Sequence, residues 1–425
     1  MHHEASPSRR DGDAPFLRLF DPAVRADPFP IYRQLVRELP ISPGPGGGVV
    51  FARYDDVAAL LRDPRVSQDD RLLPPHARIY QPRPSPGMAP ELAAMLEQRS
   101  FAVMDPPDHT RLRKLVSRGF TSAAIERLRP MIEALVDELL DRAASGGSFD
   151  FVKDFAHPLH VRVTCELIGF PVDNHEKYRT WTLAAMRNLD PPDTVPLSHD
   201  AEFLQSVIEQ GTHFMELIEA RRRMPARDDV LSMLFAAEQA GELTGDELMA
   251  TVATLMVASY ATVVTFLSNC MLALLRHPDQ LALLRADPAL AKGAVEEVLR
   301  CDPPAQYFIK VVKEELEIGG VRLLPGQPVY LLLVSASRDP AHFDEPDRFD
   351  IQRKDNKHLG WGAGIHYCLG APLARFESMI ALTRLADRLI EPALLADPPP
   401  YLDHIVFRGP AALPIGFRGI KPAAR

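Results

Sequence analysis

A mainly α fold with small β-sheets (α+β) is predicted by three features of the sequence. Apolar residues recur at helical spacing in a nearly unbroken series of segments from residue 108 to 301. One of these, Leu248–Leu275, carries no charge along its whole length. The β-type signal is confined to a late stretch, YFIKVVKEELEIGGVRLLPGQPVYLLLVSASRDP, with turns at Gly319-Gly320 and Pro325-Gly326.

In chain order, residues 1–15 have the composition of a disordered N-terminus, and residues 16–425 read as a single domain. DPFPIYRQLVRELP is a short helix bounded by prolines. GGGVVFARYDDVAALLRDP reads as strand, turn and helix. Residues 68–100 form a long proline-rich loop, a length that in compact domains marks function or mobility. Helices follow over 108–119, 122–144, 154–169, 174–188, 201–223, 228–239, 245–276, 278–285 and 290–301. After the β-rich stretch, a loop runs through residue 370, then a last helix over 372–391, and the tail HIVFRGPAALPIGFR suggests a hairpin. The chain's 40 prolines suit many short helices joined by defined loops.

The uncharged run is long enough to cross a bilayer, yet it reads better as a buried central helix, 245–276. Thr251, Thr254, Ala258, Thr262, Thr265 and Asn269 fall on one face. Thr244 and Glu247 have the spacing of a capping box, which starts a helix in water. The flanks lack the positive loops that orient a span. A net charge of −9 without a basic block argues against nucleic-acid binding. The N-terminus has no apolar segment of the secretory kind, and four dispersed cysteines make no disulfide scaffold, so a reducing cytoplasm is the expected location.

The segment HLGWGAGIHYCLGAPLARFE, 358–377, carries the chemistry. Its glycines permit tight turns and close backbone approach to a ligand. Cys368 precedes a helix whose early Pro372 suits a first turn, so backbone N–H groups should depress its pKa. A lone thiolate is a poor zinc site. It suits axial ligation of haem iron, where the thiolate's electron density favours O–O cleavage; the alternative is a small buried residue. Glu297 and Arg300 of EEVLR lie i, i+3 and can pair on one helical face. His109 and Arg113 lie i, i+4 and can both point at one anion.

WGAGIHYCLG closely resembles the haem-binding loop of the cytochrome P450 family, F-G-x-G-x-H-x-C-x-G, with Trp361 in place of Phe. Further signatures in the right order extend the likeness over roughly residues 15–420, and it is greatest to soluble bacterial members. The resemblance implies the P450 fold, with haem b iron ligated by Cys368 between the central helix and the loop 358–370. Gly362 and Gly370 shape that loop. His109, Arg113 and His366 would hold the haem propionates, with Lys310 where relatives usually carry arginine. Lysine keeps the charge and loses the bidentate fork. Glu297, Arg300 and Arg348 would form a structural triad bracing the loop. Tyr307, Phe308, Pro410 and Ala411 fall in regions lining the substrate pocket. Arg71, His76, Arg78 and Arg83 lie in the long loop, where they either meet an acidic substrate or are solvated.

In the family the central helix reads roughly A-G-x-(D/E)-T-T, and here it reads Ala258, Ser259, Tyr260, Ala261, Thr262, Val263. The acid–alcohol pair relays protons so that the O–O bond breaks. Thr262 keeps the alcohol and Ala261 lacks the acid, so water with Thr262, Tyr260, or a polar group of the substrate must complete the relay. The expected activity is O2-dependent hydroxylation or epoxidation of a mid-sized organic molecule in secondary metabolism. Electrons would come from NAD(P)H through a separate ferredoxin and ferredoxin reductase to a monomer. Oxidative ring closure or aryl coupling is the alternative that Ala261 suggests. A non-catalytic haem sensor and a peroxide-driven peroxygenase are further ones.

Overall fold

The computed structural model describes residues 15–73, 99–172, 175–187, 189–190 and 197–423. The expectations for residues 1–14 and for His76, Arg78 and Arg83 fall outside these. The helical reading is met closely: Asp108–Val116, His157–Ile168, His175–Arg187, Leu197–Arg222, Val230–Gln239, Gly245–Arg276, Pro278–Ala286, Ala291–Cys301 and Ala371–Arg388 are helices. The stretch read as one helix over 122–144 is two, Ser122–Glu126 and Arg129–Ala143, because Pro130 starts the second. A π-helical turn, Phe151–Ala156, leads into His157–Ile168.

Gly245–Arg276 is the central helix. Its capping box is formed: Glu247 N donates to Thr244 Oγ1 at 3.2 Å, and Thr244 N donates to Glu247 Oε2 at 2.9 Å. It is the one helix among the described residues long and apolar enough to cross a membrane, and 67% of its most apolar window is buried inside the protein. The largest core cluster joins it to Arg129–Ala143, His157–Ile168 and the helix after Cys368. A second cluster, including Phe266, Leu299, Ile351 and Leu382, packs its C-terminal half against Ala291–Cys301.

A five-stranded sheet runs in the order Ile41–Pro43, Val49–Phe51, Pro328–Leu332, Tyr307–Val312, Val66–Ser67. It is antiparallel except where Val49–Phe51 meets Pro328–Leu332. One face covers Leu359 and Ala363 of the cysteine loop. The predicted turn at Gly319-Gly320 closes a hairpin, Leu316–Ile318 with Val321–Leu323. The tail folds back only briefly, at an antiparallel bridge of Tyr401 with Pro410. Its strand Pro414–Gly416 lies between Ala393–Leu394 and Ser148–Asp150. Short terminal strands with little apolar surface need partners from elsewhere in the chain.

Candidate functional site

Between the central helix and the cysteine loop lies a cavity of about 410 Å³, in the range of small-molecule and cofactor sites. One wall is Ala258, Ser259, Thr262, Val263 and Phe266; the other includes Trp361, Gly362, Cys368 and Gly370. The helical period explains the first set, since positions i, i+4 and i+8 share a face. The same period turns Tyr260 away, which corrects its assignment as a catalytic candidate. It is buried, its hydroxyl is paired with His157 Nε2, and the two rings meet edge-on. Ala261 is likewise buried and outside the lining. Of the predicted small or polar stripe, Thr254, Ala258 and Thr262 face the cavity. Thr251, Thr265 and Asn269 are buried in the packing beyond it.

Thr262 Oγ1 donates to the Ala258 carbonyl at 2.7 Å. Its proton is thereby occupied and its lone pairs are free to accept. Back-bonding of this kind is common for threonine in a helix.

The cysteine loop is held from three sides. Gly362 and Gly364 sit in the left-handed region, at φ 70° and 72°. A Cβ on Gly364 would stand 2.6 Å from the Leu61 carbonyl oxygen, so only glycine fits there. Cys368 N donates to the Trp361 carbonyl at 3.0 Å. Below the loop, Glu296 accepts from Arg375 Nε at 2.5 Å and pairs with His358 Nε2 at 2.8 Å. Burial opposes ionisation of Glu296, but those two partners outweigh it and hold its carboxyl at about 2. Burial likewise pushes the Cys368 thiol up, against the pull of the Gly370 and Ala371 N–H groups and of the Arg113 and Arg375 guanidiniums. The expected depression by the helix N-terminus is therefore outweighed by desolvation in the protein alone. A cation coordinated by the sulfur would reverse that balance.

Glu297 and Arg300 are fully buried and make a two-point pair at 2.9 and 2.8 Å. The third member of the triad is Arg353, whose Nε lies 3.2 Å from both Glu297 oxygens. Arg348 is a correction: its side chain pairs with Glu345 at the surface, and only its carbonyl reaches Arg300 Nη2, at 2.9 Å. Asp350 N and Asn356 Nδ2 complete the acceptor sites of Glu297.

At one end of the cavity four basic side chains converge. Arg113, Lys310 and His366 line it, and the His109 ring lies 4.4 Å from that of His366. Both ring nitrogens of His109 and Nε2 of His366 are buried without a hydrogen-bond partner among the described residues. Burial, followed by Lys310, His109 and Arg113, pushes His366 down to about 3. Burial lowers Lys310 to about 8, partly opposed by Asp105. Arg113 Nη2 donates to the Tyr367 carbonyl at 2.6 Å. Buried donors without acceptors are rare and unfavourable, so this cluster fits a ligand that brings anionic oxygens. A flat cofactor with carboxylates, lying between a thiol and a small-residue helix face, matches the donor set.

The remaining lining is chiefly apolar, including Phe101, Val103, Leu167, Ile168, Leu255 and Ile309. Tyr307 and Phe308 are part of it. Pro410 and Ala411 are not, and Val406 and Phe407 take their place. The reason is a close crossing at Gly409, where a Cβ would be 2.9 Å from Asn269 Oδ1 and closer still to Thr265. Asn269 Nδ2 fixes that crossing by donating to the Arg408 and Asp302 carbonyls at 3.1 and 3.0 Å. The chain thus reaches the cavity before the proline. Arg71 pairs with Asp69 and does not line the cavity. Sequence reasoning also missed His160 and Thr164, which line the cavity as well. Their i, i+4 spacing was the available signal.

Comparison with known proteins agrees with this geometry. The family model described as Cytochrome P450 matches residues 76–389. Cytochrome P450 107B1 of Saccharopolyspora erythraea is 35% identical over 415 residues, covering 95% of this chain and 98% of that protein. The cytochrome P450 monooxygenase PikC of Streptomyces venezuelae is 37% identical over 412 residues, covering 94% and 93%. The crystal structure of the myxobacterial cytochrome P450 CYP267B1 in complex with myristic acid superposes with a TM-score of 0.86 at 38% identity, covering 95% of this chain and 99% of that one.

Proposed function

Since this chain belongs to the cytochrome P450 family and is an oxidoreductase of the monooxygenase kind, we propose that it inserts one oxygen atom, as hydroxyl or epoxide, into a mid-sized, mainly apolar organic molecule of secondary metabolism. Electrons come from NAD(P)H through a ferredoxin and its reductase. Residues 16–425 act as one unit on this reading. The observation that carries it is the cavity closed by Cys368 on one side and Ala258, Ser259 and Thr262 on the other, with orphaned basic side chains at its end.

Haem b held here would supply dioxygen activation and storage of electrons, with Cys368 as the residue that would hold its iron. The protein's own residues do the rest. Cys368 provides the sulfur, with Gly362 and Gly370 giving the backbone room around it. Arg113 and Lys310 would offset the charge of the cofactor's carboxylates, and His109 and His366, which burial holds toward their neutral forms, would orient them as N–H donors. Trp361 packs edge-on against Phe266 at 5.9 Å and walls the sulfur side. Ala258 allows close approach on the opposite side. Thr262, whose own proton is held by the Ala258 carbonyl, would accept a hydrogen bond from a cavity water and orient it, the delivered proton coming from that water. Phe308, Val406 and Phe407 exclude bulk water and set the substrate against the reacting face.

Ring closure or aryl coupling is the second reading, and Ala261 is what favours it, because oxidation of substrate without oxygen insertion asks less of a proton relay. One experiment separates the readings. The purified holoenzyme is screened for ligands that shift its spin state, then turned over with surrogate ferredoxin partners, and the product is weighed. A gain of one oxygen supports insertion, and a loss of two hydrogens supports coupling. Failure to consume NAD(P)H with surrogate partners and substrate points to a sensor. A reduced, CO-bound protein lacking the long-wavelength band of thiolate-ligated haem would remove Cys368 from the assignment.

A further inference from the structure

His157–Ile168 presents two polar side chains to the cavity, His160 and Thr164, at the i, i+4 spacing that stacks them on one face. His160 Nε2 lies 3.0 Å from Thr164 Oγ1. On its other side, Nδ1 lies 2.9 Å from Glu377 Oε2, on the helix that follows Cys368. His160 and Glu377 are entirely buried, and Thr164 nearly so. Glu377 Oε1 makes no hydrogen bond among the described residues.

A polar chain of this kind is an expensive way to pack two helices. Apolar side chains of the same volume would serve as well or better, and a carboxylate with one bare oxygen adds a desolvation cost. The arrangement is that of an imidazole oriented by a carboxylate and opening on a hydroxyl, the second-neighbour geometry that fixes a tautomer and stabilises imidazolium. It borders the same cavity as Thr262, beside a central helix whose acid position is Ala261.

We propose that His160, oriented by Glu377, feeds protons to the cavity through Thr164 and stands in for the carboxyl group that Ala261 lacks. This rests on the monooxygenase reading above and extends it. The relay requires Nδ1–H directed at Glu377 Oε2 and Nε2–H directed at Thr164 Oγ1, the two contacts that the imidazole makes. The Nε2 proton passes to Thr164 Oγ1 as the Thr164 hydroxyl proton passes to a cavity water. Neutral imidazole remains, still holding Nδ1–H against Glu377. The imidazole is recharged by a proton taken up from bulk solvent, carried into the cavity as hydronium and returned by the same atoms, so that no hydroxide is left behind. No electrons move in these steps, and the proton count closes. His160 and Glu377 are positioning and relay residues, since neither touches the reacting atoms.

The test uses the holoenzyme and the variants His160→Gln, Thr164→Val and Glu377→Gln, with the wild-type reduced–CO band as a separate check of the P450 reading. Every variant should keep that band. His160→Gln and Thr164→Val should lower product formed per electron pair by at least about tenfold. The missing electrons should appear as hydrogen peroxide, and the solvent deuterium isotope effect should rise. A readout independent of turnover is the proton NMR spectrum of the diamagnetic CO form. It should show one exchange-protected imidazole N–H that disappears in His160→Gln and moves in Glu377→Gln. If product and peroxide yields match the parent in His160→Gln and Thr164→Val while the band is intact, the relay is wrong and the P450 reading stands. If Glu377→Gln does not fold, the other two variants decide. A wild-type protein without the band overturns both.

Discussion

Two buried charge clusters flank the cysteine loop, and they are built on opposite principles. Around Glu297, each carboxylate oxygen accepts from guanidinium, amide or backbone N–H donors, and Arg300 spends its remaining donors on the Ser337, Pro346 and Arg348 carbonyls. Around His366, four basic groups gather while three ring nitrogens have no hydrogen-bond partner among the described residues. The first cluster is complete within the chain and braces it. The second is complete only when something anionic arrives. Satisfaction of buried polar atoms therefore separates scaffold from site more sharply than charge or burial does.

The largest expected effect is at the complete cluster. Glu297→Ala leaves Arg300 and Arg353 buried without their counter-ion and should cost about 3–5 kcal/mol in denaturant unfolding, with or without haem. A holoprotein-only loss would contradict its role as scaffold. The incomplete cluster should respond with the opposite sign. Lys310→Met removes a buried, depressed base and should stabilise the haem-free protein by about 1–3 kcal/mol at neutral pH, while haem dissociates faster. Lys310 has a folded pKa of about 8 against an ordinary 10.5, so its penalty is full below pH 8 and vanishes as pH rises toward 10.5. Wild-type apoprotein should gain stability over that window and Lys310→Met should not. If haem retention is unchanged, Lys310 does not hold the cofactor.

A smaller effect belongs to Glu296, where the folded carboxyl sits at about 2. Its contribution is present in full above its ordinary value of 4.5 and is lost as pH falls toward 2. Wild-type stability should therefore decline by about 1–2 kcal/mol more steeply across that range than Glu296→Gln. The smallest effect tests which arginine is the third member of the triad. Arg348→Ala, at a surface pair, should change stability by only ~0–1 kcal/mol, whereas Arg353→Ala should approach the loss seen for Glu297→Ala. Reversal of that order would restore Arg348 to the cluster.

Much of this was legible because it is local. The capping box at Thr244 and Glu247, the pairing of Glu297 with Arg300, the facing of Ala258 and Thr262, and the glycine turns ahead of Cys368 all follow from spacings of a few residues within one element. Most of the misplacements have a different cause. Arg348 and Arg353 lie five residues apart in one loop, and nothing periodic says which guanidinium turns inward. Tyr260 was placed by its neighbours in a motif, although the helical period already turns it from the Ala258 and Thr262 face; packing supplies only its partner, His157. Pro410 and Ala411 were displaced by the crossing at Gly409. His160 and Glu377 are 217 positions apart and meet only because two helices pack.

The amino-acid order alone specified the helices, the thiol-bearing turn, the motif-level likeness and the basic residues suited to an anion. Backbone hydrogen bonding and side-chain periodicity act over one or two turns, and sequence spacing records them directly. Packing selected which arginine completes Glu297, which residues of the tail face the cavity, and that a histidine and a glutamate share a proton-bearing contact. Those choices depend on where distant elements cross, and the free energy that settles them comes from burial of surfaces brought together only in the folded chain.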